Sequence, residues 1–168
     1  MSYKTIDDIT LLEHVRSLLA EGKARDAVSH IHRHWTGSIP CRNALGVALM
    51  RAGDAVKAVD VFRGICVNES GVVVNQDLPL YCLTNFATAL LLVGRVDGCV
   101  ALLKSLQADS EPGVRRLRDV IERWRNSLGW IKRMAFDWYG ADTDSPIPLD
   151  FEPGELGDAP GGALRPAA

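Results

Sequence analysis

The densest group of side chains able to do chemistry is the segment His30-Ile31-His32-Arg33-His34. Residues four apart share one face of a helix, so His30 and His34 would lie together. Two imidazoles bind Zn²⁺ or Ni²⁺ when a third ligand completes the site, but no H-E-x-x-H pattern or cysteine pair accompanies them. The sequence therefore favours a helix C-terminal turn whose partly protonated histidines complement the helix dipole, and we expect no metal and no cofactor.

Two of the four cysteines, Cys41 and Cys82, stand near predicted helix starts. A helix N-terminus lowers a thiol pKa and can raise its reactivity, although a small buried hydrophobic role fits these residues equally well. The sequence has no C-x-x-C pair and no G-x-S-x-G, Walker or dinucleotide-binding glycine motif. We therefore expect a protein that is not an enzyme.

The composition is that of one soluble folded domain. The chain has 168 residues, of which 47% are hydrophobic, and a formal net charge of -2. A chain of this length buries roughly two thirds of its unfolded surface without disulfides or metals. The first ten residues lack the basic-then-apolar pattern of a signal peptide, and no apolar run is long enough for a membrane span. We expect a cytoplasmic location, no membrane span and no nucleic-acid partner.

The helices that must position these side chains are clearest in the stretch from Leu45 to Phe62, which has the spacing of a helical hairpin. Small residues at Gly46 and Ala58 would let two antiparallel backbones approach closely. Gly53 would end the first helix in a left-handed conformation, and the Asp54 side chain would cap the second helix.

This stretch resembles a tetratricopeptide repeat, a helix-turn-helix unit of about 34 residues. Two neighbouring segments repeat its small and apolar positions, with the turn glycine at Gly22 in the first and Gly94 in the third. The resemblance implies an all-α fold, a right-handed superhelix of antiparallel helix pairs, with repeats at about 8–36, 38–70 and 77–108. We expect the first helix of the first repeat to begin after Thr5 or Thr10, each a suitable N-cap, and Thr10 would form a capping box with Glu13.

The chain changes character after the third repeat. An apolar stripe predicts a capping helix over 111–139, either continuous or broken at Gly129. This helix would cover the end of the repeat array, form a dimer seam, or use its basic residues to contact a membrane surface or nucleic acid. We therefore predict a helical repeat domain over 1–140 and a Pro/Gly-rich, extended or disordered tail over 141–168.

The family resemblance also implies a binding surface, because tetratricopeptide repeats hold extended or helical peptides in a concave groove formed by the first helix of each pair. Transferring the groove positions by register predicts eleven partner-binding residues: Leu12, Arg16, Leu19, Asn43, Val47, Met50, Arg51, Tyr81, Thr84, Thr88 and Leu91. Leu12 and Arg16 stand where the family's carboxylate clamp has lysine and asparagine, so the resemblance does not imply chaperone-tail binding. The lining suits a partner peptide with apolar anchors and acidic residues.

The sequence thus predicts an adaptor or chaperone-like scaffold for protein–protein interaction. The alternative is a structural subunit, a homo-oligomer that assembles through the Trp-rich C-terminal helix. The tail itself fits the predicted groove, since residues from Leu149 to Leu156 alternate apolar and acidic side chains. The 11 residues from Gly140 to Phe151 can span roughly 36 Å, so we hypothesise that this segment occupies its own or a neighbour's groove.

Overall fold

A computed structural model describes residues 7–68, 74–75, 77–139 and 145–157 of the chain. Within these residues the chain is all-helical, which confirms the predicted fold class at that level. The described residues form eight helices: α1 (Asp8–Ala20), α2 (Ala24–Arg33), α3 (Ile39–Arg51), α4 (Ala55–Cys66), α5 (Leu80–Leu92), α6 (Val96–Ser105), α7 (Pro112–Ser127) and α8 (Trp130–Tyr139). In this part of the chain, no helix has the length and apolar character that crossing a bilayer requires.

Helices that follow one another pack together from α1 to α6. In addition, α1 contacts α3, α3 contacts α5 and α5 contacts α7, so the odd-numbered helices form a continuous layer. Apolar residues from all seven helices α1 to α7 share one buried core. Each of the three predicted repeats contains one pair of these helices.

The turns within the three helix pairs have the same geometry. Gly22, Gly53 and Gly94 lie just beyond the ends of α1, α3 and α5, with φ of 72°, 86° and 76°. The amide after each glycine donates to a carbonyl five residues earlier, as in the hydrogen bond from Asp54 N to Leu49 O at 2.9 Å. This Schellman pattern satisfies carbonyls that the helix end leaves free. The predicted left-handed role of Gly53 is confirmed.

The close contact within the central pair is between Gly46 of α3 and the ring of Phe62 of α4. A Cβ atom at position 46 would lie 2.4 Å from Phe62 Cζ, and Phe62 is fully buried. Gly46 therefore makes room for an aromatic side chain that belongs to the core of the pair.

Gly46→Ala should destabilise the protein although alanine favours helices. The clash with a buried ring costs about 1–3 kcal/mol, which equals or exceeds the roughly 1 kcal/mol gain in helix propensity. Gly64→Ala on α4 is the matched control, because a methyl group there meets no described atom within 4 Å. Urea unfolding should give a lower free energy of unfolding for the first variant and a higher one for the second; equal effects would contradict the packing described.

Three local predictions were wrong or incomplete. The first helix is capped by Asp7, whose Oδ1 accepts from Thr10 N at 2.8 Å, so the predicted N-cap at Thr5 or Thr10 is wrong. Asp54 stands at the N-cap position of α4, but its carboxylate contacts Lys57 Nζ at 3.5 Å and makes no capping hydrogen bond. The three valines of residues 72–74 also predict a short extended piece; Val74 forms an antiparallel bridge with Val67, and residues 69–73 lie outside the described residues.

The predicted capping helix is two helices, α7 and α8, separated at Leu128 and Gly129. The apolar stripe of α7 is buried, and α7 packs against α5. On α8, by contrast, Trp130 is 73% exposed and Met134 is 51% exposed. The stripe residue Ile131 of α8 is likewise 64% exposed, so among the described side chains the part of the predicted stripe on α7 joins the core and Ile131 does not.

Candidate functional site

Residues 145–157, here the tail segment, lie along the layer of odd-numbered helices. Near its start, Ile147 N donates to Leu91 O of α5 at 3.0 Å, and at its end Gly157 O accepts from Arg16 Nη2 of α1 at 3.0 Å. Ile147 is 1% exposed and Leu156 is 8% exposed. We call the surface of α1, α3, α5 and α7 that contacts this segment the groove; the hypothesis that the tail enters its own groove agrees with this geometry.

Two buried asparagines at the centre of the groove bind the main chain of the tail segment. Asn85 Nδ2 donates to Glu155 O at 2.7 Å, and Glu155 N donates to Asn85 Oδ1 at 2.8 Å. Asn43 Nδ2 donates to Glu155 O at 3.1 Å, while Asn85 Nδ2 also donates to Asn43 Oδ1 at 2.8 Å. Asn43 is 0% and Asn85 2% exposed, and burying an amide is costly unless it is hydrogen-bonded. The tail supplies the main-chain partners that these amides need.

Arg51 at the end of α3 uses all three guanidinium nitrogens on the tail segment. Its Nε donates to Pro153 O and its Nη2 to Gly154 O, both at 2.9 Å. Its Nη1 lies 2.9 Å from Glu152 Oε1. The Arg51 side chain is 18% exposed, whereas the Glu152 side chain is 65% exposed. The two main-chain hydrogen bonds are therefore the stronger part of this contact, because exposed ion pairs contribute little.

Helix α7 contributes two further arginines to the groove. Arg123 Nη1 lies 2.7 Å from Asp150 Oδ2, and the Arg116 guanidinium lies over the Phe151 ring at 5.1 Å from its centroid. The hydrogen bond from Arg123 is the main reason that the pKa of Asp150 is lowered. Both members of the Arg123–Asp150 pair are more than half exposed, so the pair orients the tail more than it stabilises it.

Two glycines of the tail segment sit directly on groove side chains. Gly154 has φ of 86°, and a Cβ atom there would lie 2.8 Å from Met50 Cε and 2.9 Å from Val47 Cγ2. Gly157 has φ of 72°, and its Cβ would lie 2.5 Å from Tyr81 Cζ. Both the backbone conformation and the space available exclude a side chain at these positions.

The structure places all eleven predicted partner-binding residues on α1, α3 and α5. Those with a tail contact described above are Arg16, Asn43, Val47, Met50, Arg51, Tyr81 and Leu91. Thr84 and Thr88 line a cavity of about 20 Å³ beneath Phe151 and Glu155, room for about one water molecule. Leu12 and Leu19 are buried in the core. That these residues bind a partner stays a prediction.

Three groove residues, Asn85, Arg116 and Arg123, were not predicted from the sequence. Asn85 carried a usable signal, because an asparagine in the middle of the apolar helix LYCLTNFATALLL is a poor helix former that must find a polar partner. From the sequence, the two arginines are simply part of a basic helix. Their place in the groove follows from how α7 packs on α5, which spacing does not reveal.

The histidine cluster includes a third member, His14 of α1. The ring centroids of His14 and His30 are 4.2 Å apart, and those of His30 and His34 are 4.7 Å apart. Nε2 of His30 is buried and has no hydrogen-bond partner among the described residues. Burial, and then the neighbouring His14, His34 and Arg33, lower the pKa of His30. His30 is therefore neutral near pH 7, and the protonated role predicted for this cluster is wrong at this residue.

The described residues contain no group of three His, Cys, Asp or Glu side chains placed to hold a metal ion. The thiols of all four cysteines are buried. Cys41 and Cys82 are both buried, and burial raises the pKa of Cys82 to about 11. Burial likewise raises the pKa of Cys66 and of Cys99 to about 12. The hypothesis of a reactive thiol is therefore wrong for Cys82, whose burial keeps it protonated.

The protein should lose stability in mild acid partly through His30. Since its pKa is lower when folded, the unfolded chain binds more protons, and stability falls as the pH drops below about 6.5 towards the folded-state pKa. His30→Gln should reduce the difference between the free energies of unfolding at pH 7.5 and pH 5.5. His32→Gln, the same substitution at an exposed position of the same helix, is the matched control. Equal pH profiles for the wild type and the His30 variant would contradict this role.

No family model matches the chain, and neither does any curated protein or any solved structure. The tetratricopeptide resemblance therefore depends on the residues quoted for it. What the groove binds has to be inferred from the contacts that it makes.

Proposed function

We propose that this protein is a non-enzymatic interaction module, an adaptor or chaperone-like scaffold, whose groove binds an extended segment of a partner protein. In this proposal the helix pairs form a tetratricopeptide-like right-handed superhelix with the odd-numbered helices on its concave side. The observation that carries the proposal is the pair of buried asparagines, Asn43 and Asn85, whose amides bind the main chain of Glu155. A helical core has no need of such side chains, whereas a peptide groove does.

Recognition through the main chain suits a scaffold that accepts a segment from another protein. Asn85 both donates to and accepts from the backbone of one residue, as a neighbouring β-strand would. The Glu155 side chain itself is exposed, so the central contact places little demand on its identity. Arg51 adds two more hydrogen bonds to main-chain carbonyls. Affinity for a partner would thus come largely from backbone contacts.

The tail segment then acts as an intramolecular competitor. A partner can enter the groove only in the fraction of molecules whose tail has left, so its apparent dissociation constant is raised by the inverse of that fraction. Partner binding would therefore be coupled to tail release. Any change that weakens tail docking without altering the groove should increase affinity for the partner.

The test is a titration of a labelled synthetic peptide, SPIPLDFEPGELG, which has the sequence of residues 145–157. Fluorescence anisotropy should show binding to a chain that ends at Gly140 at least about tenfold tighter than to the full chain. Circular dichroism first establishes that the shortened chain is helical. Asn85→Leu in the shortened chain should remove binding. A helical shortened chain that binds no peptide would overturn the proposal.

A second function, assembly through the C-terminal helix, is favoured by the exposed apolar side chains of α8. Trp130 and Met134 lie four residues apart and are 73% and 51% exposed, whereas Trp124 is half-buried in an edge contact with Phe136. The double variant Trp130→Ser with Met134→Ser therefore tests assembly more directly than a Trp124 variant, which would also lose the contact with Phe136. Analytical ultracentrifugation should show weaker self-association in this variant; a monomeric wild type would exclude the assembly function.

A further inference from the structure

We infer that the partner segment carries two glycines three residues apart, in the pattern acidic-x-Gly-x-apolar-Gly. This inference rests on the proposed function and specifies the chemistry of the partner. The tail segment has this pattern from Glu152 to Gly157, and each defined position meets a feature of the groove. A segment from another protein that bound the same groove in the same register would meet the same constraints.

The first glycine is the most restricted position. A Cβ at position 154 would lie within 3.0 Å of three side-chain atoms, two of them the methyl groups of Val47. Val47 is 0% exposed, and its branched side chain has little freedom to rotate away. The φ of 86° adds a conformational cost for any residue with a side chain. The groove thus admits only the main chain at this point.

The second glycine and the residue before it define the other end of the pattern. Gly157 lies against the Tyr81 ring, where a Cβ would approach three ring atoms to within 2.8 Å. Leu156, between the exposed Glu155 and this glycine, is 8% exposed and belongs to the apolar core. The spacing between the glycines therefore places one side chain in solvent and the next in the core.

Charge complementarity supplies the acidic position. Four arginines contact the tail segment: Arg16, Arg51, Arg116 and Arg123. Among them Arg51 is the one that joins the acidic position to the first glycine, since it contacts both Glu152 and Gly154 O. A partner with lysine or arginine at the acidic position would face this guanidinium, whose side chain is only 18% exposed. The groove therefore selects an acidic segment.

The experiment uses the full chain with Gly154→Val and Gly157→Val, which alters the tail and leaves the groove residues intact. Hydrogen exchange should show that the Glu155 amide has lost its protection, which verifies tail release. Four labelled peptides are then titrated: residues 145–157 unchanged, and the same peptide with Gly154→Ala, Glu152→Lys or Glu155→Ala. If the double variant loses helical circular dichroism, Gly157→Val alone takes its place.

The unchanged peptide and the Glu155→Ala peptide should bind with dissociation constants within about threefold, because that side chain is exposed. The Gly154→Ala peptide should bind at least about tenfold more weakly, and the Glu152→Lys peptide severalfold more weakly. Equal binding of all four peptides would overturn the glycine pattern while leaving the proposed function standing. Failure of every peptide to bind the released chain would overturn the proposed function itself.

Discussion

Replacing Asn85 with leucine should destabilise the full chain by about 2–3 kcal/mol and leave a chain ending at Gly140 almost unchanged or slightly more stable. In the full chain, the substitution removes both hydrogen bonds to Glu155 and the one to Asn43 Oδ1. It leaves polar groups buried without partners, which costs more than the hydrogen bonds themselves contribute. Without the tail, Asn85 and Asn43 both lack these main-chain partners, so leucine at position 85 replaces a polar side chain that the helical core does not need.

Thr88→Val on the same helix is the matched control for this substitution. Its hydroxyl donates to Thr84 O of its own helix at 2.8 Å, so its loss should cost less than about 1 kcal/mol whether or not the tail is present. Urea unfolding of the wild type and of both variants, each at full length and ending at Gly140, gives the effect of each substitution with and without the tail. If Asn85→Leu destabilised both chain lengths equally, Asn85 would serve the helical core and would have no specific role in binding a segment.

Reversing the charge at Arg51 should release the tail. Arg51→Glu removes the hydrogen bonds to Pro153 O and Gly154 O and places a carboxylate opposite Glu152. Hydrogen bonds to charged groups contribute about 1.5–3 kcal/mol each, so the docked population should fall by about 100-fold or more relative to the released one. The amides of Ile147 and Glu155, which are hydrogen-bonded in the docked tail, should then exchange with solvent much faster.

The control for Arg51→Glu is Arg42→Glu, an equal change of charge at an exposed position of the same helix. Hydrogen exchange followed by mass spectrometry should show normal tail protection in this control, and circular dichroism should show intact helices in both variants. Arg51→Glu combined with Arg16→Glu should also abolish peptide capture by the shortened chain. Unchanged protection of the tail in the Arg51 variant would mean that apolar contacts alone hold it.

The helical hairpins could be predicted because their determinants are local. A glycine that must adopt positive φ marks each turn, and the apolar period of the flanking residues marks each helix. The same register identified the face of α3 that carries Asn43, Met50 and Arg51. Local competition between caps was harder to judge: Asp7 and Thr10 are both good N-cap residues, and only the structure shows that Asp7 takes that role.

The contacts of the groove could be predicted only in part, because they join residues far apart in sequence. Asn85 and Glu155 are separated by 70 residues, and nothing in the spacing of either one indicates the other. The neutral state of His30 likewise depends on His14, which reaches it from another helix. The charge pattern of the tail suggested docking, but the close contacts of its two glycines depend on the shapes of Val47, Met50 and Tyr81.

The central claim is that two buried amides hold the main chain of a bound segment. Its most direct test is an NMR titration in which the unlabelled peptide SPIPLDFEPGELG is added to the isotopically labelled chain ending at Gly140. The side-chain amide signals of Asn43 and Asn85 should shift and become protected from exchange as the peptide saturates. The signal of Asn126, which is exposed on α7, should stay in place. Peptide binding that leaves the signals of Asn43 and Asn85 unmoved would contradict the account.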